Sequence, residues 1–116
     1  DLVMAMKSKS HSLPKNGIVV TFDDGHSSNY ELLNIFKKYE IRPTTYLCTG
    51  VIKNNDRYWW SGIEKSIVES LTKIPNQDRL ARLKETPRAE AILIREPLSK
   101  NQILEMKDVL EFGNHT

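Results

Sequence analysis

Ile18-Val19-Val20-Thr21-Phe22-Asp23-Asp24-Gly25 is a run of β-forming residues that leads straight into two adjacent carboxylates and a glycine. The continuous apolar part predicts a buried strand of the parallel type. A carboxylate pair at the end of such a strand is costly to desolvate unless a cation or a proton-transfer role accompanies it. The plain alternative is a turn, because Asp and Gly both favour turns; the all-apolar strand before the pair argues against that reading.

Downstream, Ser28 and Glu31 have the spacing of a capping box, and Leu32, Ile35, Phe36 and Tyr39 follow on one helical face. Pro43 stops that helix, and Thr44 to Thr49 reads as a second strand. Strand, helix and strand make a βαβ unit and imply a parallel sheet. Asn54 to Trp60 reads as a loop. Ser61 and Glu64 predict a second capping box, before a helix carrying Ile63, Ile67, Val68, Leu71 and Ile74 and ended by Pro75. Asn76 to Glu85 predicts a short charged helix, and Ala89 to Ile94 one or two helical turns. Ser99 and Gln102 cap a further helix with Ile103, Met106 and Leu110 inward, and Glu111 to His115 reads as a third strand. Upstream, Asp1 to Met6 fits the tail of a helix or strand, and the polar stretch from Lys7 to Asn16, with His11, reads as a solvated loop. The predicted architecture is α/β: three parallel strands with outer helices and a helical insertion at about residues 54–96. Such a set is a fragment of either a doubly wound sheet or a (β/α) barrel; neither is complete with three strands, so exposed strand edges open a route to self-association.

The 116 residues suffice for one modest domain, and an apolar share of 39% builds a core of limited size. With 17 basic and 15 acidic residues the net charge is +2, which argues against a nucleic-acid or membrane-surface role driven by charge. No apolar run approaches the roughly 20 residues of a membrane span. The single cysteine, Cys48, excludes an internal disulfide and reads as a small apolar residue in the second strand. The chain starts at Asp1 and stops at Thr116 directly after a strand, so it reads as a piece of a longer domain.

In α/β folds, functional groups gather at the C-terminal ends of parallel strands. Asp23 and Asp24 end the first strand and His115 ends the third. Carboxylate with imidazole suits zinc or a similar first-row ion better than magnesium. Adjacent strand residues point in different directions, so one Asp can ligate a metal while the other stays free as a base. His26 follows the turn and reads as a surface turn residue, or else as a contact behind the ligands or to substrate. Trp59 and Trp60 read equally as packing groups or as a sugar-stacking platform.

Thr21-Phe22-Asp23-Asp24-Gly25 resembles the first signature of the polysaccharide deacetylase family, the NodB-homology domain of carbohydrate esterase family 4. The segments Ile41 to Leu47 and Leu98 to Thr116 resemble that family's next strand and the approach to its second signature, His-Ser/Thr-x-x-His. The resemblance implies the N-terminal half of a distorted, TIM-like (β/α) barrel. It implies hydrolysis of N-acetyl or O-acetyl groups on a polysaccharide or oligosaccharide, a hydrolase acting on carbon–nitrogen bonds other than peptides. Asp23 would be the general base and Asp24 and His115 metal ligands. Thr116 would brace the loop that follows. The implied metal is zinc, with cobalt or nickel as substitutes, and the implied location is the cell envelope or outside the cell. The family's second metal-binding His and its general acid lie beyond Thr116, so these residues alone are expected to bind metal weakly or not at all and to lack deacetylase activity. Two competing expectations are a non-catalytic remnant that binds glycan or a partner, and a magnesium-dependent phosphatase. The second needs an Asp-x-Asp spacing, which Asp23-Asp24 does not offer.

Overall fold

A computed structural model of the chain describes residues 7, 16–54, 57–89 and 97–115. Strands β1 (Thr21–Phe22), β2 (Thr44–Leu47) and β3 (Glu111–Asn114) form one sheet in the order β1-β2-β3. Both pairings are parallel, with Thr21 level with Thr44 and Thr44 level with Glu111. A 3-10 helix (Ser27–Leu32) continued by α1 (Leu33–Lys38) joins β1 to β2. Among the described residues, four helices lie between β2 and β3: α2 (Thr49–Asn54), α3 (Lys65–Leu71), α4 (Asn76–Leu83) and α5 (Lys100–Met106). The α/β class and the parallel pairing are as the sequence predicts. The expectations for residues 1–6, for the loop holding His11, for residues 90–96 and for Thr116 lie outside the described residues. No helix among the described residues is long and apolar enough to cross a membrane.

The first strand is shorter than its sequence suggests. Only Thr21 and Phe22 pair, and the ladder opens where the Thr44 N–H donates to the Val20 carbonyl at 3.0 Å. Ile18 is 87% exposed and Val19 67%, because β2 starts only at Thr44 and no strand among the described residues lies beside them. Continuous apolar character reports β-propensity, but burial needs a neighbour on each side. The second strand also ends early: Thr49 opens α2 instead of extending β2.

The helix after β1 begins with a tighter turn. Its first six residues are 3-10, its N-cap is His26, and the expected Ser28–Glu31 capping box does not form. The 3-10 turn sets Leu33 three residues on from Tyr30 on the same face, and α1 carries Phe36 on from Leu33 at the i+3 position. Leu33 and Phe36 are buried and Tyr30 packs against them, while Ile35 and Tyr39 face solvent, contrary to the 3.6-period expectation. The second predicted box fails too. Helix α3 starts at Lys65 with Glu64 as its N-cap and no side-chain cap bond, so Ile63 and Ile74 fall outside it. At α5 the box is complete: the Gln102 N–H donates to Ser99 Oγ at 3.2 Å, and the Ser99 N–H donates to Gln102 Oε1 at 2.9 Å. Behind it, Met106 and Leu110 are fully buried with Ile103 packed beside them, as predicted.

The core lies between the sheet and helices α1 and α5. Leu33, Phe36, Leu47, Leu98, Met106 and Leu110 form one buried cluster. The Tyr30 hydroxyl donates to Glu105, joining the 3-10 helix to α5 across it. This packing fixes one face of the sheet and leaves the C-terminal strand ends to the site.

Candidate metal centre

Asp24, Cys48 and His115 each stand just past the C-terminal end of a strand, β1, β2 and β3 in turn. Neighbouring strands lie about 4.8 Å apart, so the outer two strand ends are separated by about 10 Å of backbone. Their side chains lean inward across the central strand. His115 Nδ1 comes within 3.7 Å of Asp24 Oδ1, and the Cys48 thiol donates to that same oxygen with Sγ at 3.6 Å. One donor atom from each of the three residues lies within 4.8 Å of the other two. Carboxylate oxygen, thiol sulfur and imidazole nitrogen are the donor types that zinc and similar ions take, so this set fits a divalent first-row cation.

Backbone bonds hold the three together. The Cys48 N–H donates to the Asp24 carbonyl at 3.4 Å, and the His115 N–H to the Leu47 carbonyl at 2.9 Å. Thr49 Oγ1 donates to Asn114 Oδ1 at 3.2 Å, tying the start of α2 to the end of β3.

Asp23 and Asp24 part company at the turn. Gly25 N–H donates to the Asp23 carbonyl at 2.9 Å, closing a three-residue turn centred on Asp24, whose φ is +67°. Asp tolerates that left-handed region better than most residues, and the glycine after it, at φ +70°, adopts it without steric cost. Strand alternation is thereby broken: Asp24 is partly buried against Cys48 and His115, while Asp23 stands exposed. The pair is therefore not a buried diad, as its position after an apolar strand suggests. Only Asp24 is partly buried.

His26 is less of a surface residue than expected. Its side chain is 17% exposed, with Nε2 at 3.9 Å from the other Asp24 oxygen and its ring 4.7 Å from that of Tyr58. Tyr58 is fully buried and donates its hydroxyl to the Asp24 carbonyl at 2.9 Å. Burial, with the nearby Cys48 and Asp24, pushes its phenol well above the usual range. Trp60 stacks on Tyr58 at 4.9 Å, Trp59 meets Trp60 edge-on at 5.5 Å, and the Arg79 guanidinium of α4 covers the Trp59 ring at 4.9 Å. An aromatic row thus runs from His26 into the insertion. The insertion's far end returns to the same turn, where the Leu98 N–H donates to the Gly25 carbonyl at 2.8 Å.

Two residues of this site escape a reading of the sequence. Cys48 reads as a packing residue, yet it lies outside the core cluster and points its sulfur at a carboxylate. Desolvation first, then the charge and hydrogen bond of Asp24, push its thiol up to about 11. The rule that singles out Asp24 and His115, position at a parallel strand end, applies equally to Cys48. Tyr58 has no local signal beyond standing first in three consecutive aromatics, Tyr58-Trp59-Trp60.

In comparison with known families, the family model described as polysaccharide deacetylase matches residues 10–116. No curated protein and no solved structure matches the chain.

Proposed function

The chain belongs to the polysaccharide deacetylase family, and on that premise we propose that it carries part of the active site of a metal-dependent hydrolase that removes N-acetyl or O-acetyl groups from a polysaccharide. The observation that carries this reading is the 3.7 Å approach of His115 Nδ1 to Asp24 Oδ1, beside an exposed Asp23. Asp24 and His115 hold the cation, zinc by preference and cobalt or nickel as substitutes. Such an ion, when bound, polarises the acetyl carbonyl and lowers the pKa of its bound water. Asp23 accepts the proton of the water as it attacks the acetyl carbon. Its exposure leaves that carboxylate open to solvent and substrate, whereas the Asp24 carboxylate is engaged by Cys48 and His115. His26 faces the second oxygen of Asp24 and helps to orient it. Trp59 and Trp60, joined to the site through Tyr58, offer aromatic faces to the apolar faces of sugar rings.

The reading is tested on the full-length gene product with a chitin-type oligosaccharide, by acetate release after metal stripping and readdition of zinc, cobalt, nickel or magnesium. Activity should return with the first three. Asp23→Asn should keep metal binding and lose acetate release, and Asp24→Asn should lose both. Acetate release that survives stripping, or an active Asp23→Asn protein, would overturn the reading. Magnesium-dependent phosphate release would replace it with the phosphatase reading, and glycan binding with no hydrolysis under any metal would replace it with a binding role.

A further inference from the structure

We propose that Cys48 is a ligand of the metal ion, so that this protein builds a mixed carboxylate–thiolate–imidazole centre. The inference rests on the reading of Asp24 and His115 as the metal-holding pair and adds the donor that stands between them. In a tetrahedral zinc site, bonds of about 2.0–2.3 Å separate an oxygen from a sulfur donor by roughly 3.6 Å and from a nitrogen donor by roughly 3.4 Å. The Asp24 Oδ1 distances are 3.6 Å to Cys48 Sγ and 3.7 Å to His115 Nδ1. The third separation, sulfur to imidazole, is within 4.8 Å.

Topology makes the arrangement specific. Strand β2 lies between β1 and β3, so the residue that follows Leu47 must stand between the residues that follow Phe22-Asp23 and Asn114. The Cys48 backbone is itself bonded to the Asp24 carbonyl. A cysteine kept only for packing would join the apolar cluster; this one is half-buried and directs its sulfur at a carboxylate. On binding, the thiol proton passes to solvent and the sulfur–metal bond takes its place. Two consequences follow from the donor set. A thiolate favours zinc, cobalt or cadmium over magnesium and calcium. Metal occupancy and alkylation of Cys48 also become mutually exclusive.

Cobalt titration of the full-length gene product, followed by absorption spectroscopy, tests the proposal without relying on activity. The wild-type protein should develop a thiolate-to-cobalt charge-transfer band in the near ultraviolet. Cys48→Ala and Cys48→Ser should lack the band and bind cobalt at least about tenfold more weakly, as expected for loss of a group that shapes a metal site. Zinc should protect Cys48 from iodoacetamide, and magnesium should not. Cobalt binding by the wild type without that band, with zinc giving no protection, overturns Cys48 ligation and leaves the Asp24–His115 reading standing. Absence of any cobalt or zinc binding by the wild type overturns both. The wild-type spectrum decides the matter even if a substituted protein fails to fold.

Discussion

Tyr58 and Asp24, 34 residues apart, are joined by a hydrogen bond from the buried phenol hydroxyl to the Asp24 backbone carbonyl at 2.9 Å. The bond clamps the left-handed turn that presents the Asp24 carboxylate, and it does so from the start of the insertion. Tyr58→Phe keeps the ring stack on Trp60 and removes only this bond. A net hydrogen bond is worth about 1 kcal/mol, and the Asp24 carbonyl retains the Cys48 N–H, so a loss near that value is expected. Urea unfolding checks it, with the midpoint lowered and the slope unchanged. Cobalt affinity should fall as well, because the turn is less firmly held.

Gly25→Ala and Gly50→Ala should move stability in opposite directions. At Gly25, φ is +70° and an added Cβ would stand 2.6 Å from Leu47 Cδ2, in the buried core. Backbone strain at such a position costs on the order of 1–3 kcal/mol, and the clash adds to it. Gly50 lies in α2 with nothing within 4 Å of its added Cβ, so alanine there should stabilise by about 0.5–1 kcal/mol through helix propensity. Thermal or urea melts of the two variants decide the sign of each.

Ser99→Ala should cost about 1 kcal/mol, the usual worth of an N-cap. Ser28→Ala, at a position with the same local spacing of Ser and Glu/Gln, should change stability by less than about 0.5 kcal/mol, because Ser28 caps nothing and is exposed. Equal losses at the two sites would show that the 3-10 start of the first helix is wrong.

Alkylation of Cys48 in chelator should be slow and steeply dependent on alkaline pH. Its thiol is raised from 9.0 to about 11, so the neutral form is favoured in the folded protein. Only the thiolate attacks, so at pH 8 the folded protein should react on the order of 10- to 100-fold more slowly than the same chain in urea. The rate should climb as pH rises from 9 towards 11, and the unfolded chain should reach its plateau earlier. Equal rates in the two states would remove the desolvation and the Asp24 contact as causes.

Much of the fold is legible because its signals are local. The Ser99–Gln102 box, the inward Met106 and Leu110, and the succession of strand, helix and strand are each encoded within a few residues. Two other capping patterns, at Ser28 and Ser61, are equally good as patterns and form no cap. In each case the chain enters its helix at another residue, His26 or Glu64, after a turn whose geometry is fixed from outside: Tyr58 and Leu98 bind the turn before His26, and Ala89 N–H donates to the Gly62 carbonyl before Glu64 at 2.8 Å.

By itself the sequence determined a parallel α/β chain of the polysaccharide deacetylase family, with an acidic pair at the first strand end and a histidine at the third. These follow from hydrophobic runs, turn residues and a motif, all readable along the chain. Only the tertiary structure decided which groups meet. Sheet order puts β2 between β1 and β3 and so sets Cys48 beside Asp24 and His115; the positive φ at Asp24 separates it from exposed Asp23; and a phenol from the insertion locks that turn. Strand order, register and backbone handedness are properties of the assembled sheet. Residues distant in sequence share a metal-sized space only after those are set.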